Sequence, residues 1–394
     1  MRLLCRPRRF AVRRPTLRQT KTYLCAKLLY DLATTRDGSA APTLMRIPNC
    51  EAFVNSVLHD IYTEWEADRA VAVATVIATL GSSPRDPGAM LAVHQDGTVV
   101  GSISGGCVEG AVYESALEVL ATGQPRIEHY GPSGNILEPG LTCGGSLTVF
   151  VERLDRETTP QLAELMERIL RDETVILETV VAGPRAGTHR IAHELDAPTG
   201  LTPTGTLIRR FPSRPRMIIV GSTDFAAETG YLGTRMGYRV TLCDARPTFT
   251  TPQRFPHVDE VVCEWPSDWI ARERNEGRFD SRTVIVVLTH DPKIDIPVLV
   301  ECLDTTKWAE PLAYIGAMGS LTADTNRRRE LAAAGVRPEH LTALSSPIGL
   351  AIGNRGPAET AISIAAEIIT KRAIDAAPSW QRNRSDFPLD IVEQ

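Results

Sequence analysis

The stretch "MIIVGSTDFAAETGYLGTRMGYRVTLCDAR", Met217 to Arg246, decides the fold. "MIIVG" is a short unbroken apolar run, the pattern of a strand buried on both faces. "DFAAETGYLGTRMG" follows with helical spacing and a Gly237 stop. "YRVTLCDAR" is a second strand. Two strands joined through a helix at this spacing make a βαβ unit, and such a crossover requires the strands to be parallel.

The same rhythm continues downstream through "VDEVVCEWP", the apolar strand "RTVIVVLTH" and a helix from Pro297 to Leu303. "PLAYIGAMGS", the helix "TADTNRRRELAAAG" and the amphipathic "ETAISIAAEIITKRAI" complete it. Residues 217–378 therefore read as a Rossmann-type doubly wound parallel sheet, with 379–394 as a tail.

A dinucleotide fingerprint wants G-x-G-x-x-G/A after the first strand. Here Gly221 and Ala226 fit, but Thr223 stands at the central glycine and its Cβ would crowd a phosphate. Asp224 adds negative charge beside it, although a helix start also welcomes an Asp cap. Asp244, 23 residues after Gly221, ends the second strand where a ribose-binding acid belongs. Two readings stay open: a domain that binds NAD(P), or the same topology without a dinucleotide. Thr289, His290 and Asp291 of "LTHDPKID" fall at the carboxyl edge of the sheet, where open α/β sheets bind ligands. His290 reads either as a general base or ligand, or as a surface or capping residue.

Upstream, "FPSRPR" at 211–216 is a linker, and 45–210 reads as a mixed α/β domain with hairpins and few helices. Cys50 to Asp68 has helical spacing, "AVAVATVIATLG" is a buried strand, and a hairpin turns at Asp96-Gly97. "VEGAVYESALEVLATG" is a helix, "SLTVFVERL" a strand, and "THRIAHEL" and "TGTLIRRF" read as edge strands.

Two cysteines in this region sit beside glycine pairs. Gly105, Gly106 and Cys107 precede a helix, where unpaired N–H groups and the helix dipole favour an anion and acidify a thiol. The glycine pair permits the positive φ values that fold N–H groups into a nest. Cys143 with Gly144 and Gly145 offers a second such corner. Ser82, Ser83 and Arg85 of "GSSPRDPG" suit a phosphate or carboxylate. The plainer reading makes both cysteines small buried hydrophobes. A zinc site from Cys107, Cys143, His94 and His129 has irregular spacing, and a Cys107–Cys143 disulfide requires the two corners to meet.

The composition is that of a globular protein: 394 residues, 43% hydrophobic, 23% charged, net charge −5. That balance argues against a nucleic-acid partner for the whole chain. The charge is uneven, with ten Lys/Arg against two Asp/Glu in residues 1–44. This basic leader reads as an unstructured tail ahead of Met45, which is the expected true start. A transit peptide and a nucleic-acid arm fit less well. No apolar run approaches the roughly 20 residues of a membrane span. The eight scattered cysteines, with no CxxC pair, fit a reducing, cytoplasmic setting.

With these residues in view, "SSPRDPGAML", "DGTVVGSISGGCVEG" and "LTCGGSLTVFVE" resemble the N-terminal domain of the XdhC/CoxI family. "VLTHDPKID", "YIGAMGS" and "SPIGLAIGNRGPAETAISIAAEII" resemble its C-terminal Rossmann domain. The resemblance runs from about Val71 to Arg372, in order. It implies an accessory protein that binds molybdenum cofactor, assists its sulfuration, and delivers it to a xanthine dehydrogenase or carbon monoxide dehydrogenase type hydroxylase. It implies no turnover of its own. The implied partners are the hydroxylase large subunit, a cysteine desulfurase and a second copy of the chain. It makes Cys107 and Cys143 candidate contacts to the cofactor's molybdenum. The departure is Thr223-Asp224, where the family reads more like Gly-Ala-Gly. The alternative is an NAD(P)-dependent oxidoreductase using Asp244 for the ribose and His290 for proton transfer.

Overall fold

A computed structural model describes residues 56–80, 85–131, 141, 145–192, 198–353 and 356–376. All of them lie in the unit Glu51–Gln394. The basic leader, Met45 and the tail after residue 378 lie outside the described residues.

Strands β1 (Val71–Leu80), β2 (Met90–His94), β3 (Val99–Gly101), β4 (Arg126–Tyr130) and β5 (Ser146–Leu154) form one antiparallel sheet in the order β3-β2-β1-β5-β4. Helix α1 (Ser56–Glu66) precedes it, and α2 (Glu109–Thr122) joins β3 to β4. β1 is buried from Val71 to Ile77, where both faces are covered. Ala72, Ala74 and Val76 pack with Val112 and Val119 of α2. Val71 and Val73 pack on the other side with Ile61 of α1 and with Leu162 and Leu165 of α3 (Leu162–Leu170). Strand β4 carries little apolar signal, and its alternation is exposed on three of five residues.

A second antiparallel sheet contains β6 (Val175–Val180), β7 (His189–Ala192), β8 (Gly200–Leu201) and β9 (Thr206–Phe211), in the order β7-β6-β9-β8. β7 is an edge, as its sequence suggests. β9 is interior instead, because the two-residue β8 pairs along it.

The chain then enters six parallel strands: β10 (Arg216–Val220), β11 (Arg239–Cys243), β12 (Glu260–Val262), β13 (Val284–Val287), β14 (Tyr314–Ala317) and β15 (Leu344–Ser345). Their order is β12-β11-β10-β13-β14-β15, so the direction of winding reverses between β10 and β13. β10 alternates its side chains between two cores. Ile218 and Val220 face Trp269 of α5 (Pro266–Asn275), Val298 of α6 (Pro292–Leu303) and Leu331 of α7 (Leu321–Ala333). Met217 and Ile219 face Ala226 of α4 (Asp224–Arg235) and Ile364 and Ile368 of α9 (Pro357–Ala376). A short α8 (Pro338–Leu341) leads to β15. Helix α6 starts five residues before the Pro297 boundary read from sequence, because Asp291 caps it and Pro292 occupies its first turn, where a proline costs no hydrogen bond.

Residues between β9 and β10 are tied down. Arg214 pairs with Asp259 at 3.2 Å and Asp172 at 3.5 Å, and Arg282 donates to the Ser213 carbonyl at 2.8 Å.

Gly221 leaves β10 at the reversal point with φ +113°, and a Cβ there would lie 2.6 Å from Thr289 Cγ2 and 3.1 Å from the Leu288 carbonyl carbon. Gly221→Ala should therefore destabilise the domain by about 2–3 kcal/mol, measurable by urea denaturation. A stability equal to wild type would mean that the turn relaxes without the glycine.

Candidate functional site

Strand register brings three sequence-selected segments to one end of the five-stranded sheet. β1 runs upward to Leu80, which pairs with Ser146 at the start of β5. Met90, the start of β2, pairs with Thr75 of β1, and Gly101, the end of β3, pairs with Leu91. Tyr130, the end of β4, pairs with Leu147. The chain after Leu80, after Gly101 and before Ser146 thus leaves or enters the sheet at the same end. Arg85, Gly105, Gly106, Cys107 and Gly145 are described there. Ser82, Ser83, Cys143 and Gly144 lie outside the described residues, so the pairing of the two cysteine corners rests on this shared end alone.

Cys107 is exposed, two residues before α2. Gly105 and Gly106 take φ +76° and +114°, and a Cβ on either would meet nothing within 4 Å. Among the described residues, no atom stands against these two glycines on that side. Their N–H groups are not left for a ligand. Glu109, in the first turn of α2, folds its carboxylate back under the loop. Its Oε1 accepts from Ser102 Oγ and Ser104 N, both at 2.9 Å. Its Oε2 accepts from Gly106 N at 2.8 Å, Val108 N at 3.3 Å and the Ser104 hydroxyl. Ser104 Oγ accepts from Cys107 N at 3.0 Å, and Ser102 Oγ from Gly105 N at 3.1 Å. The donors that the sequence reserves for a phosphate are satisfied within the chain, by the Glu109 carboxylate and the two serine hydroxyls it holds. Partial burial alone would raise the Glu109 pKa, but the bonds from Ser104 and Ser102 outweigh it and bring it down to about 2. The clasp therefore stays charged at neutral pH.

Sequence reasoning passes over Glu109. The available signal is an acidic residue in the first helical turn behind Ser102 and Ser104.

At the carboxyl edge of the parallel sheet, the sequence-selected residues divide. Asp244 is fully buried and accepts from Ser222 N at 2.7 Å and from the Arg246 guanidinium at 2.6 and 2.9 Å. Burial pushes its carboxyl up, and the Arg246 and Ser222 bonds pull it below the usual carboxylate range. Both of its oxygens are engaged within the chain, where the sequence pattern places a ribose hydroxyl. Thr289 is buried and donates to Asp295 at 2.5 Å, while Asp291 caps α6 by accepting from Lys293 N at 3.0 Å. Thr223 caps α4 by accepting from Ala226 N at 3.2 Å. These residues shape the edge.

His290 instead lines a cleft of about 380 Å³ together with Thr223, Asp224, Arg246, Phe249 and Arg254. Phe249 is exposed, and the Arg246 and Arg254 guanidinium carbons lie 5.5 and 5.8 Å from its ring centroid. Backbone carbonyls of Phe249 and Ser222 hold Arg254 at 3.0 and 3.4 Å. Two guanidiniums and an aromatic face suit an anionic ligand carrying a flat ring. Arg246, Phe249 and Arg254 are not legible in the sequence because the loop after β11 has no periodicity to mark them.

Among the described residues, no group of three or more His, Cys, Asp and Glu could hold a metal ion. His94 binds Asp60 at 2.6 Å and His129 binds Thr148 at 3.0 Å, and Cys143 of the zinc reading lies outside the described residues. Cys243 and Cys302 are buried and burial pushes their thiols up, whereas Cys263, like Cys107, is exposed. No helix of the described residues is long and apolar enough to cross a membrane.

Comparison with known proteins agrees with this architecture. Residues 217–368 match the family model described as the XdhC Rossmann domain, and residues 64–131 match that of the XdhC and CoxI family. The chain is 26% identical over 331 residues to a Bacillus subtilis (strain 168) protein described as a probable xanthine dehydrogenase subunit, covering 78% of this chain and 94% of that protein. It is 28% identical over 308 residues to the molybdenum cofactor insertion chaperone PaoD of Escherichia coli (strain K12), covering 77% and 84%. A crystal structure described as a xanthine dehydrogenase from Bacillus halodurans shares the fold, with a TM-score of 0.64 at 24% identity over 84% of this chain and 98% of that one. With both of its halves matched in order, on a parallel sheet of Rossmann topology preceded by antiparallel sheets, the chain belongs to the XdhC and CoxI family.

Proposed function

We propose that this protein is an insertion chaperone for molybdenum cofactor that serves a hydroxylase of the xanthine dehydrogenase type. The functions for which two relatives are named support the reading. The observation that carries it is Cys107, exposed beside two glycines that meet no atom of the described residues on their side-chain face. A cysteine sulfur there suits a soft metal or a transferable sulfur. The glycines add no side chain of their own to obstruct a large ligand.

Residues that would hold the cofactor fall in two places. Cys107 would face the molybdenum, as would Cys143, which lies outside the described residues. The Arg246, Arg254 and Phe249 cleft suits the phosphate and the pterin ring. When bound, the cofactor supplies the metal and dithiolene sulfurs that the hydroxylase uses. The protein's own part is to orient the cofactor and keep it from solvent until transfer. Assistance in sulfuration, with a cysteine desulfurase as sulfur source, belongs to this proposal, as do a homodimeric state and a division at 211–216. Dinucleotide chemistry is the second reading. The cleft favours it, while Thr223 and the closed Asp244 disfavour it.

The test is direct. Purified protein, mixed anaerobically with isolated molybdenum cofactor and passed over a sizing column, should co-elute with molybdenum and pterin in equal amounts. Elution of both with the small molecules sinks the proposal. Binding of NADH by calorimetry, without cofactor binding, would favour the second reading.

A further inference from the structure

We infer that the cleft lined by Arg246, Phe249 and Arg254 recognises a phosphomonoester, a terminal phosphate carried by a ligand with a flat ring, and excludes the bridging diphosphate of a dinucleotide. The inference deepens the proposed cofactor role and rests on it for one of the two sources of that phosphate.

On this topology a bridging diphosphate sits against the bare backbone of the turn after the first strand, and the acid ending the second strand takes the ribose. Neither is offered here. Thr223 brings a side chain to that turn, and its hydroxyl caps α4 by accepting from Ala226 N. Asp244 has both oxygens engaged by Arg246 and Ser222 N. What the cleft offers instead is side-chain donors. Asp244 fixes Arg246 through Nε and Nη2, and Nη1 stands outside that pair. Arg254 is held differently, by the carbonyls of Phe249 and Ser222, which bring no full charge. Its ion-pair partner is Asp224, 3.7 Å away with its side chain 85% exposed. So exposed a carboxylate at that distance is a weak partner. Asp244 therefore accounts for one guanidinium, while the charge of Arg254 is left for a ligand. A terminal phosphate brings about two negative charges and three free oxygens, which two guanidiniums can share. Phe249 puts an exposed ring 5.5 and 5.8 Å from the two guanidinium carbons, so a flat group can lie beside the same donors. Two sources carry this chemistry: the phosphate of the pterin cofactor, and the 2′-phosphate of a nucleotide, for which an arginine at this place in the fold is suited.

The test compares ligands that differ by that phosphate alone, on the full-length protein, so its first part needs no variant. The metal-free fluorescent pterin obtained by oxidising molybdenum cofactor keeps its phosphate, and alkaline phosphatase removes it. In fluorescence titrations the phosphorylated pterin should bind at least about tenfold tighter than the dephosphorylated one, the weight of a charge-assisted hydrogen bond. Calorimetry with 2′-AMP and adenosine makes the same comparison for a nucleotide source. NADH, which carries the diphosphate and no monoester, should not displace the preferred ligand. Arg254→Met should bring the two members of the preferred pair to within about twofold of each other, since one guanidinium is lost. A phosphate preference in the pterin pair assigns the pterin, and one in the nucleotide pair alone assigns a nucleotide; either upholds the inference. Absence of preference in both pairs, a preference that survives in Arg254→Met, or displacement by NADH overturns it. These pterins carry no molybdenum. A phosphate preference in a protein that fails to co-elute with intact cofactor therefore keeps this inference and removes the cofactor role, and co-elution without the preference does the reverse.

Discussion

Cys107→Ala lowers affinity for molybdenum cofactor by at least about tenfold, equivalent to about 1.4 kcal/mol, while Cys263→Ala leaves it unchanged. Both thiols are exposed, and Cys107 lies at the sheet end where β3 leaves the antiparallel sheet. The alanine removes a soft ligand atom and leaves in place Glu109, Ser102 and Ser104, which hold the loop through its backbone N–H groups. Retention of molybdenum and pterin through anaerobic gel filtration measures the effect. Equal retention by the two variants would remove Cys107 from the proposed site and leave the arginine cleft as the place to look.

Replacing Glu152 with glutamine destabilises the N-terminal half by about 3–5 kcal/mol, with a fall in Tm on the order of 10 °C. Glu152 on β5 is buried, and its Oε2 lies 3.0 Å from His189 Nε2 on β7. His189 Nδ1 in turn meets Thr179 Oγ1 at 3.0 Å. Arg209 on β9 is 5% exposed, and its Nη1 reaches the Met90 sulfur at 3.3 Å. Burial pushes the Arg209 pKa down and the Glu152 charge opposes that shift. These groups come from both antiparallel sheets. Without the carboxylate, a guanidinium stays buried with no countercharge at that position. Replacing Glu152 and Arg209 together by leucine and methionine should recover much of the loss, since apolar substitutes carry no desolvation cost. Denaturation with urea separates the cases. A loss under about 1 kcal/mol for the single variant would show that water or another group compensates Arg209.

The parallel sheet is legible because its signal is local. "MIIVG" and "RTVIVVLTH" are apolar without interruption, and only strands covered on both faces tolerate that. Strand β4, "RIEHY", carries no such signal because three of its five residues are exposed and it is held by pairing with β5. Helix α5 is hidden for a related reason. Its sequence "PSDWIARERN" is dominated by charge, and what fixes it is the burial of Trp269 and Ile270.

The candidate site divides in the same way. That Gly105, Gly106 and Cys107 form a corner before a helix follows from the sequence, since glycine's freedom at positive φ and the helix start are local properties. That the corner's N–H groups are already taken follows from where the Glu109 side chain turns, a matter of rotamer and reach rather than of residue type. Likewise, Asp244 stands where a ribose acid belongs, but Arg246 two residues later closes on it. Sequence alone thus determined the βαβ winding, the family and which residues carry reactive groups, because periodicity and backbone permission act over a few neighbours. Tertiary structure decided which of those groups still face a ligand. A buried polar group must find a partner, and the nearest partner is chosen by packing between segments that the sequence keeps apart.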